Sequence, residues 1–271
     1  MTARCSVVAV LAMALVSFVP GAAAGQTAAS DNWTPPRTAD GDPDLQGTWA
    51  NNRATPMQRP EQFGDRARLT DEELAELTSQ IAAFRDAEQA GDLLGDRLIQ
   101  QALGNSEFQD FDEVTGNYNA FWLVDRQLDN RTSLIIDPPN GRRPPQTEAA
   151  QARARERFGA GRGRSDGPED RGLGDRCLHF ASPNMGSGYN SYFQLFQTSQ
   201  QVTIIQEMGH IVRTISLDGR PHLDEKIPQW TGNARGRWEG DTLVVETRNY
   251  EPRSRYSGGS ESLVLVERFT R

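Results

Sequence analysis

The last third of the chain constrains the fold most, because short segments of alternating apolar residues follow one another with only brief turns between them. Their β-branched and aromatic side chains are typical of strands, and Gly, Asp and Pro mark the turns. We identify the strands as YFQLFQ, QVTIIQE, HIVRTISL, GRWEG, DTLVVETRNY and ESLVLVERFT, and a further strand begins near DLQGTWA. This spacing predicts a mainly β fold, either an antiparallel barrel or a sandwich.

Helical excursions from this β-rich domain are predicted between residues 51 and 160. The clearest covers residues 69–91, where Thr70 and Glu73 form a capping box and apolar residues recur at helical spacing. A second, shorter helix over residues 146–159 begins after Thr147. Between the helices, FWLVD and TSLIID have strand character.

A flexible loop is predicted over residues 160–175, which are dominated by Gly, Arg and Asp. The rest of residues 45–271 is interpreted as a single β-rich domain. It is preceded by an extended segment over residues 25–44, where Pro, Asp, Thr and Gly disfavour a regular element.

The N-terminus has the pattern of a secretory signal peptide. Arg4 precedes an apolar run over residues 6–19, and small residues then suit cleavage after Ala24. The run is shorter than the roughly 20 residues of a membrane-spanning helix. We therefore assign residues 1–24 to the signal and expect a periplasmic or secreted protein with no stable membrane insertion after cleavage. An uncleaved anchor is the alternative.

Charge and cysteine content narrow the possible partners and chemistry. The formal net charge is −8, and phosphate backbones need a basic face, so nucleic acid is not an expected partner. Signal removal leaves Cys177 as the only thiol, which excludes an intrachain disulfide. Cys177 and His179 could form a nucleophile pair, or a buried structural thiol beside a histidine. No metal, cofactor or nucleotide motif is present, so we predict none.

The catalytic candidates lie in EMGHIVRTISLDGRPHL, residues 207–223, which holds two of the three histidines. If Met208-Gly209 is a two-residue turn, Glu207 and His210 face each other with Cβ atoms about 5 Å apart. The carboxylate would then orient the imidazole as a general base. An ion pair at the tip of a surface hairpin is the alternative. His222, which follows the next turn, is the third candidate.

Arg213 is the central candidate for ligand binding, because alternation places it on the same strand face as Ile211 and Ile215. An inward arginine needs an acidic partner or an anionic ligand. Glu246 is the candidate internal partner. Aromatic residues suit a pocket but also build ordinary cores. The candidate ligand-binding residues are Arg213, Arg220, Trp122, Tyr189, Trp230 and Trp238.

Four segments together resemble a family of secreted, mostly uncharacterised bacterial proteins. They are PRTADGDPDLQGTWA, YNAFWLVDRQLDNRTSLIIDPPNGRRPP, EMGHIVRTISLDGRPHL and ARGRWEGDTLVVET. The resemblance implies export and a shared β-rich fold, and it implies no particular activity. Members of that family continue past the segment VERFTR, so a C-terminal truncation of this chain is left open.

A second resemblance, at the level of the fold, is to lipocalin-like barrels. In those barrels a G-x-W triplet opens the first strand, and an arginine near the end of the last strand packs on the tryptophan. Gly47-Thr48-Trp49 resembles that triplet, and Arg268 or Arg271 would supply the arginine.

These observations favour three functions. The first is binding of a small amphipathic or anionic organic molecule in a β-barrel pocket. The second is a cofactor-free hydrolase, lyase or isomerase that uses the Glu207–His210 pair. The third is an envelope interaction protein without a small-molecule site. The oligomeric state is not predicted.

Overall fold

The structure is a computed structural model that describes residues 34–86, 103–104, 126–159, 167–168, 171, 174–179, 183, 190–252 and 262–271. The chain divides into Met1–Pro35 and Pro36–Arg271. Only residues 34 and 35 of the first unit are described, so the predicted signal peptide and most of the lead-in lie outside the described residues. The remainder of the fold belongs to Pro36–Arg271.

One seven-stranded sheet dominates the described residues, with its strands in sequence order. The strands are β1 Gly47–Ala50, β2 Tyr192–Gln197, β3 Gln201–Gln206, β4 Ile211–Ser216, β5 Asn233–Glu239, β6 Thr242–Arg248 and β7 Leu265–Phe269. The sheet curls into a half-barrel, so the prediction of a mainly β fold is confirmed.

The prediction of a closed antiparallel barrel is wrong. β4 and β5 are parallel through Ile215↔Ala234 and Ser216↔Arg235, whereas the other neighbouring strands are antiparallel. The reason is the connection over residues 217–232, which loops out and brings the chain back beside the last residues of β4. β5 therefore runs in the same direction as β4, whereas a tight turn would have reversed it. No ladder joins β1 to β7 within the described residues, so the sheet is mixed and open.

Alternation along each strand determines which side chains enter the core. In β4, Ile211, Arg213 and Ile215 are buried, whereas Val212 and Thr214 are exposed. The inward residues of the sheet form one cluster that comprises Leu45, Leu195, Val202, Ile204, Ile215, Ala234, Leu243 and Val245. Each large aliphatic side chain buried in this way contributes about 1.5–3 kcal/mol to folding.

Two α-helices lie where helical excursions were predicted: α1 over Asp71–Asp86 and α2 over Glu148–Gly159. The capping box of α1 is confirmed, because the Thr70 amide donates to Glu73 Oε2 over 2.9 Å and the Glu73 amide donates to Thr70 Oγ1 over 3.2 Å. Residues 87–91 of the predicted helix lie outside the described residues. A second apolar cluster includes Ala54, Phe63, Leu69, Leu77 and Ile81.

The strand predicted over residues 132–137 is not formed. Leu134 and Ile135 donate to the carbonyls of Pro56 and Met57, but no ladder develops, and Ile136 is 77% exposed. Pro56 has no amide hydrogen to return a bond, which stops pairing at that point. The predicted strand FWLVD and most of the predicted loop over residues 160–175 lie outside the described residues.

Candidate functional site

A cavity of about 220 Å³ lies on the inner face of the half-barrel. Its surface is mainly apolar, with aromatic walls from Trp49, Phe193 and Phe269. The full lining is Leu45, Trp49, Pro183, Phe193, Leu195, Ile204, Gln206, Arg213, Glu267, Phe269 and Thr270. Strands β1 to β4 supply one side of it and β7 supplies the other. The alternation that forms the core therefore also forms this cavity.

One buried ion pair lies in the cavity wall. Arg213 is 3% exposed, and its Nη1 and Nη2 donate to the two carboxylate oxygens of Glu267 over 3.0 and 2.5 Å. Nη2 also lies 3.4 Å from Thr247 Oγ1. The inward position predicted for Arg213 is confirmed. Because the contact with Glu267 is bidentate, both charges are compensated inside an apolar surround.

Glu246, which was predicted to be the partner of Arg213, has other partners. On β6 the inward residues are Leu243, Val245 and Thr247, so Glu246 lies on the outer face. There its carboxylate accepts from Arg248 over 2.7 Å. That hydrogen bond, opposed by burial and assisted by the charges of Arg248 and His222, holds the pKa of the Glu246 carboxyl below its usual value of 4.5. The actual partner is Glu267, which is paired with inward-facing Val245.

The predicted contact between the first strand and an arginine near the end of the last strand is present. The Arg271 guanidinium lies 5.6 Å from the centre of the Trp49 ring, and its Nη1 donates to the Asp44 carbonyl over 2.7 Å. Trp49 Nε1 donates to the Leu45 carbonyl over 3.0 Å. Arg268, the alternative, instead pairs with Glu239. Arg271 and Trp49 thus connect the two edges of the open sheet beside the cavity.

The geometry predicted for Glu207 and His210 is not formed. Gln206 pairs with Ile211, so the hairpin has a four-residue loop that contains both residues instead of a two-residue turn closed by them. Glu207 Oε2 accepts from the Tyr192 amide over 3.2 Å, and the His210 side chain is exposed. No hydrogen bond or ion pair joins these two described side chains. A base with its orienting carboxylate is therefore absent from this loop.

His222 and Arg220 lie on the outer face of the sheet, away from Arg213. His222 Nε2 is 3.3 Å from Glu246 Oε1, and Arg220 forms an ion pair with Asp218. Both residues line a second cavity of about 230 Å³. The structure therefore does not bring Arg213 together with Arg220 and His222, because Arg213 lines the inner cavity and the other two line the outer one.

Two of the remaining aromatic candidates, Trp230 and Trp238, are not among the residues that line the inner cavity. Trp230 Nε1 donates to the His179 carbonyl over 3.1 Å, and the two rings contact edge to face with centroids 6.0 Å apart. Trp238 is half-buried and packs against the sheet core. Trp122 and Tyr189 lie outside the described residues.

The Cys177 thiol, expected to be buried if structural, is exposed. The described part of the chain contains no group of three or more His, Cys, Asp or Glu placed to hold a metal ion. Within that part, no helix has the length and apolarity needed to cross a membrane.

Several residues of the inner cavity were not predicted from the sequence, although the pattern around one of them indicated an inward position. In LVERF, alternation places Glu267 on the same face as Leu265 and Phe269, which marks an inward carboxylate for the inward Arg213. Phe193 and Gln206 carried no comparable signal, because their roles depend on how the sheet curls. Comparisons with family models, with curated proteins and with solved structures each gave no match.

Proposed function

We propose that this protein binds a small amphipathic organic molecule in the inner cavity of its half-barrel, using the inside of a curled sheet as lipocalin-like barrels do. The observation that carries this proposal is the apolar cavity with aromatic walls and one buried, compensated ion pair. Such a surface suits an apolar body and a few directed polar contacts. The signal-like residues 1–24 support binding in the periplasm or outside the cell.

The cavity volume limits the size of the ligand. An engineered apolar cavity of about 150 Å³ holds one benzene molecule. By the same ratio, a cavity of about 220 Å³ holds roughly eight or nine non-hydrogen atoms. The ligand class is therefore small aliphatic or monocyclic compounds and excludes larger lipids lying wholly within the cavity.

The ion pair limits the charge of the ligand. An anionic head group would have to separate Arg213 from Glu267, and the buried carboxylate of Glu267 would then have no partner. A cationic head group would in the same way leave the guanidinium of Arg213 without a partner. A neutral hydroxyl, carbonyl or amide can add hydrogen bonds to the pair and leave it intact. A neutral amphipathic ligand fits this wall better than the anionic one that the arginine alone would favour.

Calorimetric titration with 1-heptanol, heptanoate and heptylamine tests the proposal, since the three compounds share an alkyl body and differ in head-group charge. We expect the alcohol to bind most tightly. Thr270→Trp places a large side chain at an exposed position of the cavity lining and should weaken binding about tenfold or more. Val266→Trp is the control, because Val266 is 54% exposed on the outer face of β7.

Two results would contradict the proposal. One is the absence of binding by all three compounds. The other is an equal loss of binding in Thr270→Trp and Val266→Trp, which would locate the compounds outside the cavity. Tighter binding of heptanoate than of heptanol would retain the cavity but overturn the argument about a neutral head group.

A further inference from the structure

A second cavity, of about 230 Å³, lies on the outer face of the sheet and has a different character from the first. Its lining is rich in charged residues and includes Arg220, His222, Arg235, Arg237 and Glu246. The cavity thus gathers three guanidinium groups and an imidazole around one carboxylate, in a protein whose net charge is −8. The cavity lining therefore carries an excess of positive charge on a molecule whose net charge is negative.

The sequence builds this cavity from strand alternation and one fixed loop. In β5, Ala234 and Trp238 pack against the core, so Arg235 and Arg237 extend from the outer face. Arg235 Nε donates to the Pro221 carbonyl over 3.1 Å, which holds the loop before β5 against the strand.

Two asparagines hold the next part of the same loop. The Leu223 amide donates to Asn233 Oδ1 over 3.0 Å. Asn249 Nδ2 donates to the carbonyls of Leu223 and Asp224 over 2.8 and 3.0 Å. The backbone is therefore bound on both sides of His222, which fixes the position of the imidazole in the cavity lining.

The charges around the cavity are unevenly compensated. Arg220 pairs with Asp218, and Arg237 pairs with Glu239. The acceptors of Arg235 are the backbone carbonyls of Pro221 and Ala234, and no carboxylate of the described chain lies within ion-pair distance of it. Arg235 is half-buried. It is therefore a partly desolvated cation with no counter-charge in direct contact, and bringing one to it is favourable.

His222 belongs to the same cavity lining. Its Nε2 contacts Glu246, but its Nδ1 atom is buried and has no hydrogen-bond partner among the described residues. A buried polar nitrogen without a partner costs about 1–3 kcal/mol. The imidazole lies in the cavity lining, so its signals report on a charged group bound there.

We propose that this outer-face cavity binds an oxyanion group, a carboxylate or a phosphate, with Arg235 as its principal contact. The planar guanidinium of Arg235 matches two oxygens of either group. Arg220 and Arg237 add positive charge at the rim, and His222 lies beside the bound group. Glu246 is the cross-strand neighbour of Arg235, and its negative charge competes with that of the ligand and so limits affinity. The proposal is independent of the inner-cavity ligand, because the two cavities lie on opposite faces of the sheet.

The full chain has three histidines, so their ring signals in a ¹H–¹³C NMR spectrum form a small, assignable set. Inorganic phosphate and succinate are titrated separately at constant pH and constant ionic strength. We expect the His222 signals to shift saturably at millimolar concentrations, whereas those of exposed His210 stay in place. The probe with the lower dissociation constant identifies the phosphate or the carboxylate as the preferred group.

Variants then test the assigned contacts. Arg235→Gln should weaken binding about tenfold or more, because a charge-assisted contact is lost. Arg37→Gln is the matched control, since it removes the same charge from an exposed pair with Asp241 at the β5–β6 turn. Glu246→Gln should strengthen binding, because it removes the competing carboxylate. If Arg235→Gln fails to fold, this second variant still tests whether the oxyanion binds in the outer-face cavity.

The proposal is overturned if neither probe shifts the His222 signals. Equal weakening in Arg235→Gln and Arg37→Gln would also overturn it, because general charge screening would then explain the response. Unchanged or weaker binding in Glu246→Gln would remove Glu246 as a competitor and contradict the assigned geometry.

Discussion

Arg213 and Glu267 are charged residues in an otherwise apolar wall, and removing each of them from water costs several kcal/mol. Their mutual attraction and two hydrogen bonds offset that cost. The balance is asymmetric, because loss of one partner leaves the other charge buried, whereas loss of both removes the cost entirely. The pair therefore makes each residue indispensable to the other without giving a large net stability.

Glu267→Gln should lower the free energy of unfolding by about 3–5 kcal/mol, because it leaves the Arg213 charge uncompensated. The double variant Arg213→Met with Glu267→Leu should recover most of that loss. Urea unfolding at neutral pH measures both. Additive losses in the double variant would show that the two side chains do not act as a pair.

At the scale of elements, the features predicted correctly from sequence are those with a local cause. Alternation located strands β2 to β4, and the capping box located the start of α1 at Asp71. The segment TSLIID has the composition of a strand, yet its neighbour Pro56 has no amide hydrogen to donate to a ladder. The four-residue loop around His210 was missed because its conformation depends on the register of the strands that it joins.

The turn that leads into β5 gives a prediction about backbone shape. Gly232 has a φ of +73°, and a Cβ atom there would lie 2.4 Å from Thr247 Cγ2 and 2.9 Å from Tyr250 Cζ. Gly232→Ala combines strain with overpacking and should destabilise by about 3 kcal/mol. Gly240→Ala is the control, because Gly240 has a φ of +60° but open space around it. Gly240→Ala should lower the free energy of unfolding by about 1–2 kcal/mol, measured by thermal or urea unfolding. Equal losses in the two variants would exclude a steric effect of Thr247 and Tyr250.

At the scale of the whole molecule, the two cavities could not be predicted from the sequence. Trp49 and Glu267 line one cavity although more than two hundred residues separate them in the chain. Only the curl of the sheet brings them together. The sequence predicted that Arg213 is inward and that Arg220 contacts a ligand, but it could not show that the two residues line cavities on opposite faces.

The contact of Arg271 with Trp49 gives a prediction about that curl, since it joins β7 to β1 where no ladder does. Arg271→Ala should destabilise by about 1 kcal/mol through loss of the cation–π contact and of the hydrogen bond to Asp44. It should also increase amide hydrogen exchange in β1. Arg268→Ala removes an exposed ion pair and is the control. Equal exchange in β1 for both variants would contradict a role for Arg271 in holding the edges.

The two-pair parallel junction between β4 and β5 divides the sheet into two antiparallel ribbons, one of four strands and one of three. The inner cavity takes Arg213 from the first ribbon and Glu267 from the second. Their ion pair therefore joins the two ribbons on the inner face of the sheet. The two side chains that join the ribbons are also part of the cavity wall, so a change at either one alters both the stability of the sheet and the polarity of the cavity.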